Sequence, residues 1–404
     1  MATNSYLDAG SRKESARLAR LDFREEVISE VRTPAFVVSE QALERNLKII
    51  STVRKRTGAK ILLALKAFSM YEAFPVIAKH LDGVCASGPN EARLGKEEFK
   101  KAVHTFAPAY SSNDIKCLVK TSDTIIFNSI SQWKKYREFV RSSGRKIEIG
   151  LRVNPGYSEV KVDLYNPVSP EAGLGVFPEE LVGEDLSLLD GLHFHALCEQ
   201  GAETLASVLA AFEKNFAPYL KKVRWVNFGG GHHITRKGYD LGHLVKIINS
   251  FKERYGVQVY IEPGEAIAMN AGIMVSSVLD ILPRTLKRRK EIALLDTSAE
   301  DHMPDVLAMP YRPEILQDSG TRPAANTYIF RGQTCLAGDI IGEYKLAVKL
   351  RPGDRVVFLD MAIYTMVKTT TFNGVNLPSI YFLRKSGMLE ETKRFGYKDY
   401  KGRL

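Results

Sequence analysis

Residues 60–70 read KILLALKAFSM: five consecutive apolar residues at 61–65, then an ammonium at Lys66. An apolar run this short suits a strand buried on both faces. Just before it, Leu43, Leu47 and Ile50 share one face of a helical stretch. Ser39 is placed to cap the start of that helix and Gly58 to end it. The alternation then repeats. GVCAS (83–87), AVHTF (102–106), TIIF (124–127), IEIGLR (147–152), GLHFH (191–195), RWVNF (224–228) and VQVYI (257–261) are further short runs, with helical segments such as 89–99 and 131–140 between most of them. Eight strand–helix units within residues 40–261 predict an α/β fold, a (β/α)8 TIM barrel. An open doubly wound sheet is the alternative.

After about residue 275 the pattern shortens and gains turn signals, as in RPGDRVVFLD (351–360) and TTTFNGVNLPSI (369–380), while YKLAVKL (344–350) alternates with period two. A second, β-rich domain of sandwich or barrel-like type is expected. The expected division is an N-terminal extension with a strand joining the β domain (1–34), the barrel (35–274) and the β domain (275–404).

Composition narrows the class. The 404 residues are 45% hydrophobic and 26% charged, an ordinary globular profile. No apolar run is long enough to span a bilayer, and the N-terminal segment lacks the apolar core of a signal peptide. The four cysteines have no CxxC spacing, which points to free thiols in a reducing compartment. The net charge is +10, but apart from short clusters such as KRRK (287–290) the basic residues are dispersed, without an aromatic–basic motif. A cytoplasmic enzyme is expected, with no nucleic-acid or membrane partner.

Four motifs carry chemistry. Lys66 ends a barrel strand, where barrel enzymes place their catalytic groups. A desolvated lysine there serves as a Schiff-base nucleophile, although many strand-end lysines only reach for water. FGGGHHITRKGYD (228–240) follows the seventh barrel strand, where glycines let backbone N–H groups approach a phosphate. A flexible turn is the plainer reading. The adjacent His232 and His233 lack a third ligand at metal spacing, so no metal is expected. IEPGEAI (261–267) brings Glu262 and Glu265 to the same mouth, either as solvated acids or as partners of a protonated pyridine nitrogen. In HFHALCEQ (193–200), His195 is placed to stack on a flat cofactor or to sit in the core, with Glu199 just beyond.

Taken in order, Lys66, Arg152 in RVNP, His195, the glycines 229–231, EPGE (262–265), GQTCLAGD (332–339) and DMAIYTMVKTTTFNG (360–374) resemble the fold-type III pyridoxal-phosphate decarboxylases. These are the alanine-racemase-like barrels that include ornithine and diaminopimelate decarboxylases. The resemblance covers roughly residues 33–385 and is closest to members acting on carboxylated polyamines, carboxynorspermidine and carboxyspermidine. It implies pyridoxal 5'-phosphate as cofactor and a homodimer with active sites at the interface. It further implies that Lys66 holds the cofactor, His195 stacks on its ring and Glu262 pairs with the ring nitrogen. Gly229, Gly230, Gly231 and Tyr364 would hold the phosphate, with Arg152 also at the cofactor. Cys335 and Asp339 would act in the partner's site, and Cys335 is the candidate proton donor. The chain departs from the ornithine-type pattern at Glu265, where an arginine is usual. The acids Glu199, Glu265, Asp301, Asp305, Asp339 and Glu343 fall in motifs expected near the pocket, and a carboxylate-rich pocket favours a polycationic substrate. Diaminopimelate, whose second carboxylate needs a cation such as Arg312, is the alternative. Which carboxypolyamine is used stays open, and related carboxy-guanidino substrates do too.

Overall fold

The computed structural model describes residues 9–318 and 326–404. The chain splits into two compact units, Arg45–Ile267 and Met1–Glu44 with Ala268–Leu404. The first strand, β1 (Ala35–Ser39), belongs to the second of these. The next eight form the first: β2 (Lys60–Ala64), β3 (Gly83–Ala86), β4 (Ala102–Phe106), β5 (Thr124–Phe127), β6 (Glu148–Arg152), β7 (Gly191–His193), β8 (Trp225–Asn227) and β9 (Gln258–Ile261). They pair in parallel in chain order, and β2 closes on β9 to complete the predicted TIM barrel.

Local chemistry explains these elements. The helix Glu40–Thr57 starts where Ser39 Oγ accepts the N–H of Ala42, and it buries Leu43, Leu47 and Ile50. It ends at Gly58, whose φ is +62°. Inside the barrel, Trp225 takes the room left by two glycines. A Cβ at Gly191 would lie 2.0 Å from its ring and one at Gly150 2.6 Å from it. The N-terminal ends of the strands are tied by a repeated device. Asp82, Asp123 and Asp190 each accept the backbone N–H of a neighbouring strand (Ile61, Val103 and Ile149) and each also binds arginine. Rigidity is thus concentrated at the bottom of the barrel, leaving the C-terminal mouth for chemistry.

The second unit is an eight-stranded mixed sheet that includes β1. Its other strands are β10 (Gly272–Leu282), β11 (Glu291–Leu295), β12 (Asn326–Arg331), β13 (Ile340–Leu346), β14 (Arg355–Leu359), β15 (Ser379–Leu383) and β16 (Leu389–Lys393). The order is β13-β12-β11-β10-β1-β15-β16, and β14 also pairs with β10. Phe330, Tyr344 and Phe358 anchor one core, and Phe23, Val37, Ile273 and Val357 belong to another.

The boundaries differ from those expected. β1 pairs antiparallel with β10 and in parallel with β15, so it is a sheet strand rather than the barrel's entry. All five of its residues are buried, a pattern indistinguishable in sequence from a barrel strand. Before it, the described part of the extension is helical, Ala9–Asp22 and Glu25–Glu30, and contributes Ala19, Phe23, Val27 and Ile28 to the sheet unit's core. The expected extension at 1–8 lies outside the described residues. No described helix is long and apolar enough to cross a membrane.

Candidate active site

In the barrel unit, the predicted residues collect at the C-terminal ends of the strands. Lys66 occupies the turn after β2, where the N–H groups of Ala67 and Phe68 bond back to Ala64 O. The sequence reading expects an amine desolvated by burial. The structure instead leaves Lys66 exposed, because the strand ends just before it.

His195 is set by its neighbours. Its Nδ1 accepts the N–H of Gly230 at 2.9 Å. Burial pushes the imidazole well below its ordinary range, and the charges of Lys66 and Arg152 push it further. The ring is therefore neutral, with its proton on Nε2. Arg152 ends β6 and lies under this segment, with its guanidinium over the Phe106 ring and Nη2 3.4 Å from His195 O. Burial lowers it to about 10, against the pull of Glu262, so it remains a cation at neutral pH.

Glycines 229–231 are first of all a packing requirement. A Cβ at Gly229 would lie 2.4 Å from Phe194 O, one at Gly230 2.6 Å from Glu262 O and one at Gly231 2.0 Å from Leu197 O. Gly229 and Gly231 also have positive φ. Two of the three amides are occupied by Asn227 and His195. The N–H of Gly231 has no hydrogen-bond partner among the described residues.

Glu262 follows β9 and is 5% exposed. Burial alone would raise its carboxyl. His193, Asn227 and Cys85 together outweigh that and hold it well below the usual range. Asn227 Nδ2 donates to Oε1 at 2.6 Å, and His193 Nε2 lies 3.4 Å from Oε2. Burial lowers His193 in turn, against the pull of Glu262. The mouth thus presents an exposed primary amine, a neutral imidazole and a buried carboxylate in its ionised form.

Glu199, His233 and Glu265 come from the segments after β7, β8 and β9, and one ligand atom of each lies within 4.8 Å of the others. His233 Nε2 is 3.1 Å from Glu265 Oε1. Burial, with Glu265 adding, raises Glu199 to about 7. The sequence reading finds no third ligand spaced for the histidine pair; the fold brings Glu199 and Glu265 to His233. His232 is not among this group, because adjacent side chains diverge.

In the sheet unit, the acids expected at the pocket separate into two kinds. Asp339 is fully buried and accepts from Ser298 Oγ, Thr334 N, Thr334 Oγ1, Ala299 N and Glu300 N. With both oxygens saturated it is a structural tie, contrary to the substrate role expected. Asp305 pairs with Lys368 at 2.6 Å, and the exposed Glu343 with Lys290, so their charges are already compensated. Asp301 Oδ1 accepts from Thr370 Oγ1 and Phe372 N, while Oδ2 is buried without a hydrogen-bond partner. Arg312, the cation a second substrate carboxylate would need, is engaged by Asp318 at 3.1 Å and lies over the Tyr344 ring. Cys335 is exposed, with its N–H on Asn373 Oδ1. Tyr364 is half-buried at φ +48°, with Lys368 Nζ 5.6 Å from its ring centroid.

Sequence reasoning passed over His193, Asn227 and Cys85. All three sit at or near strand ends, in the register of the residues it did select. A polar residue inside an otherwise apolar strand was the available signal.

Residues 31–362 match a family described as pyridoxal-dependent decarboxylase, C-terminal sheet domain. The chain is 41% identical over 381 residues to a carboxynorspermidine/carboxyspermidine decarboxylase of Campylobacter jejuni, covering 92% of this chain and 98% of that one. It is 41% identical over 378 residues to a carboxyaminopropylagmatine decarboxylase of Synechocystis sp., covering 93% and 96%. Among solved structures, carboxynorspermidine decarboxylase from Campylobacter jejuni complexed with norspermidine is similar with a TM-score of 0.84 at 40% identity, covering 93% of this chain and 100% of that one.

Proposed function

We propose that this chain, which belongs to the pyridoxal-dependent decarboxylase family, removes the carboxylate of a carboxylated polyamine as carbon dioxide. The observation that carries this reading is the 41% identity to carboxynorspermidine/carboxyspermidine decarboxylase along nearly the whole of both chains.

The residues present fit pyridoxal phosphate. A primary amine stands at the mouth, a buried carboxylate is held ionised, and a glycine loop leaves the N–H of Gly231 without a partner. When bound, the cofactor supplies a sink for the electron pair left as carbon dioxide departs. Lys66 would supply the amine that holds it. Glu262 would accept from the ring nitrogen and keep it protonated. His195, neutral and pinned by Gly230, would lie against the ring without adding a competing charge. The N–H of Gly231 would take the phosphate, and Arg152 braces the His195 segment, its Nη2 3.4 Å from His195 O.

Glu199 and Glu265 would receive the substrate's cationic tail. The partnered Arg312 argues against a second substrate carboxylate, and so against diaminopimelate. The equal identity to carboxyaminopropylagmatine decarboxylase supports a second reading, in which the tail ends in a guanidinium. Homodimer formation, a cytoplasmic location, and a part for Cys335 as proton donor in the partner's site belong to the same proposal.

The test is carbon dioxide release by the cofactor-loaded protein from carboxynorspermidine, carboxyspermidine, carboxyaminopropylagmatine and diaminopimelate in parallel. Release from the first two supports the main reading, and release from the third alone supports the second. Release confined to diaminopimelate overturns the account of the acids while leaving Lys66 and Glu262 in place.

A further inference from the structure

Asn227 ends β8 and has no exposed surface. Both ends of its side-chain amide are used. Oδ1 accepts the N–H of Gly229 at 2.9 Å, and Nδ2 donates to Glu262 Oε1 at 2.6 Å. The first bond decides the second. A backbone N–H can only donate, so the amide oxygen must face Gly229 and the NH2 must face Glu262. Glu262 Oε1 is therefore an acceptor, and a proton placed on it would meet an N–H. On the other side, Oε2 faces His193. One buried amide thus joins the glycine loop to the carboxylate beneath the mouth.

We propose that Asn227 is a positioning residue that locks the glycine loop and Glu262 into one unit and keeps Glu262 an anion where a protonated ring nitrogen needs it. This rests on the cofactor reading above. It explains why an amide stands at this strand end: an aliphatic residue would leave Gly229 N–H and Glu262 unpaired in the interior, and a carboxylic acid would compete with Glu262 for its charge.

Asn227→Asp separates the two arms. One oxygen still accepts the N–H of Gly229. The other faces Glu262 Oε1 at hydrogen-bonding distance, where two carboxylates cannot both be ionised and must share a proton. Asn227→Ala removes both arms. Apoprotein of each is titrated with pyridoxal phosphate by visible absorption, the spectrum of the bound cofactor is followed against pH, and kcat and KM are measured on the best substrate. For Asn227→Asp the expected result is a Kd for the cofactor within about 5-fold of the unaltered protein, a pH-dependent spectral change moved to lower pH, and kcat lower by about 100-fold with KM little changed. For Asn227→Ala, Kd weakens by at least about 10-fold as well.

The double variant Asn227→Asp with Glu262→Gln restores the hydrogen bond with its direction reversed. It should recover the melting temperature but not kcat. An unaltered spectrum and kcat in Asn227→Asp overturn the proposal. So does a loss of cofactor affinity equal to that of Asn227→Ala, because that outcome leaves only packing. If the unaltered protein takes up no pyridoxal phosphate, the cofactor reading fails and this proposal falls with it. Uptake with a normal Asn227→Asp sinks this proposal alone.

Discussion

Replacing Asp339 by asparagine distinguishes a structural acid from a substrate ligand. Asp339 is fully buried, with Oδ1 on two backbone N–H groups and Oδ2 on two hydroxyls and the N–H of Thr334. The new side chain fits best with its oxygen toward Ala299 and Glu300 and its NH2 toward Ser298 and Thr334. The two hydroxyls can rotate to accept, but the N–H of Thr334 cannot. One buried donor is then unsatisfied, at about 1–3 kcal/mol, and two charge-assisted bonds become neutral ones, at about 0.5–1.5 kcal/mol each. The total is about 2–6 kcal/mol. For a unit of about 180 residues, at about 2–4 °C per kcal/mol, the sheet unit's melting temperature should fall by about 10 °C. Differential scanning calorimetry and urea unfolding measure it. KM for the polyamine substrate, taken well below the melting temperature, should stay within about 3-fold of the unaltered value. An unchanged melting temperature with KM raised tenfold or more refutes the reasoning and returns Asp339 to the substrate.

Other consequences can be checked in the same preparations. Glu262→Gln keeps the acceptor for Asn227 and so should barely change stability, while kcat falls by about 10–100-fold, the worth of a charged over a neutral partner at the ring nitrogen; stopped assays with saturated cofactor decide it. Glu199 is an acid whose folded value, raised to about 7, lies above its unfolded one, so its contribution to stability is present below about pH 4.5 and lost as pH rises through about 7. Glu199→Gln should flatten the melting temperature of the apoprotein across that window, by a small amount because the residue, although partly shielded, keeps some of its surface in solvent; an unchanged pH profile counts against the raised value. Cys335→Ala should slow turnover while leaving cofactor affinity intact, and turnover equal to the unaltered enzyme acquits the thiol.

Most of the barrel was legible because its signal is local. Each strand is a short apolar run between helical segments, and Lys66, His195 and Glu262 stand at or just beyond strand ends, where the fold itself makes a mouth. The glycines 229–231 were legible as a special place but not as to its cause. Their small size serves backbone packing against 194–198 and Glu262, which no run of three letters discloses.

What the residues alone determined, then, is the alternation that builds a closed parallel barrel and the chemical types waiting at its rim. Those follow from burial and from the backbone's two periodicities, which are written residue by residue. Tertiary structure decided which of those groups are still available. β1 is as apolar as any barrel strand, yet it joins the sheet, because partner choice depends on edges distant in sequence. Asp339 and Glu262 are both buried acids, and only their donors tell them apart: five bonds tie one into the fold, while an amide, an imidazole and a thiol hold the other charged at the mouth. A carboxylate's role is set by what surrounds it, and those neighbours come from strands that meet only when the chain has folded.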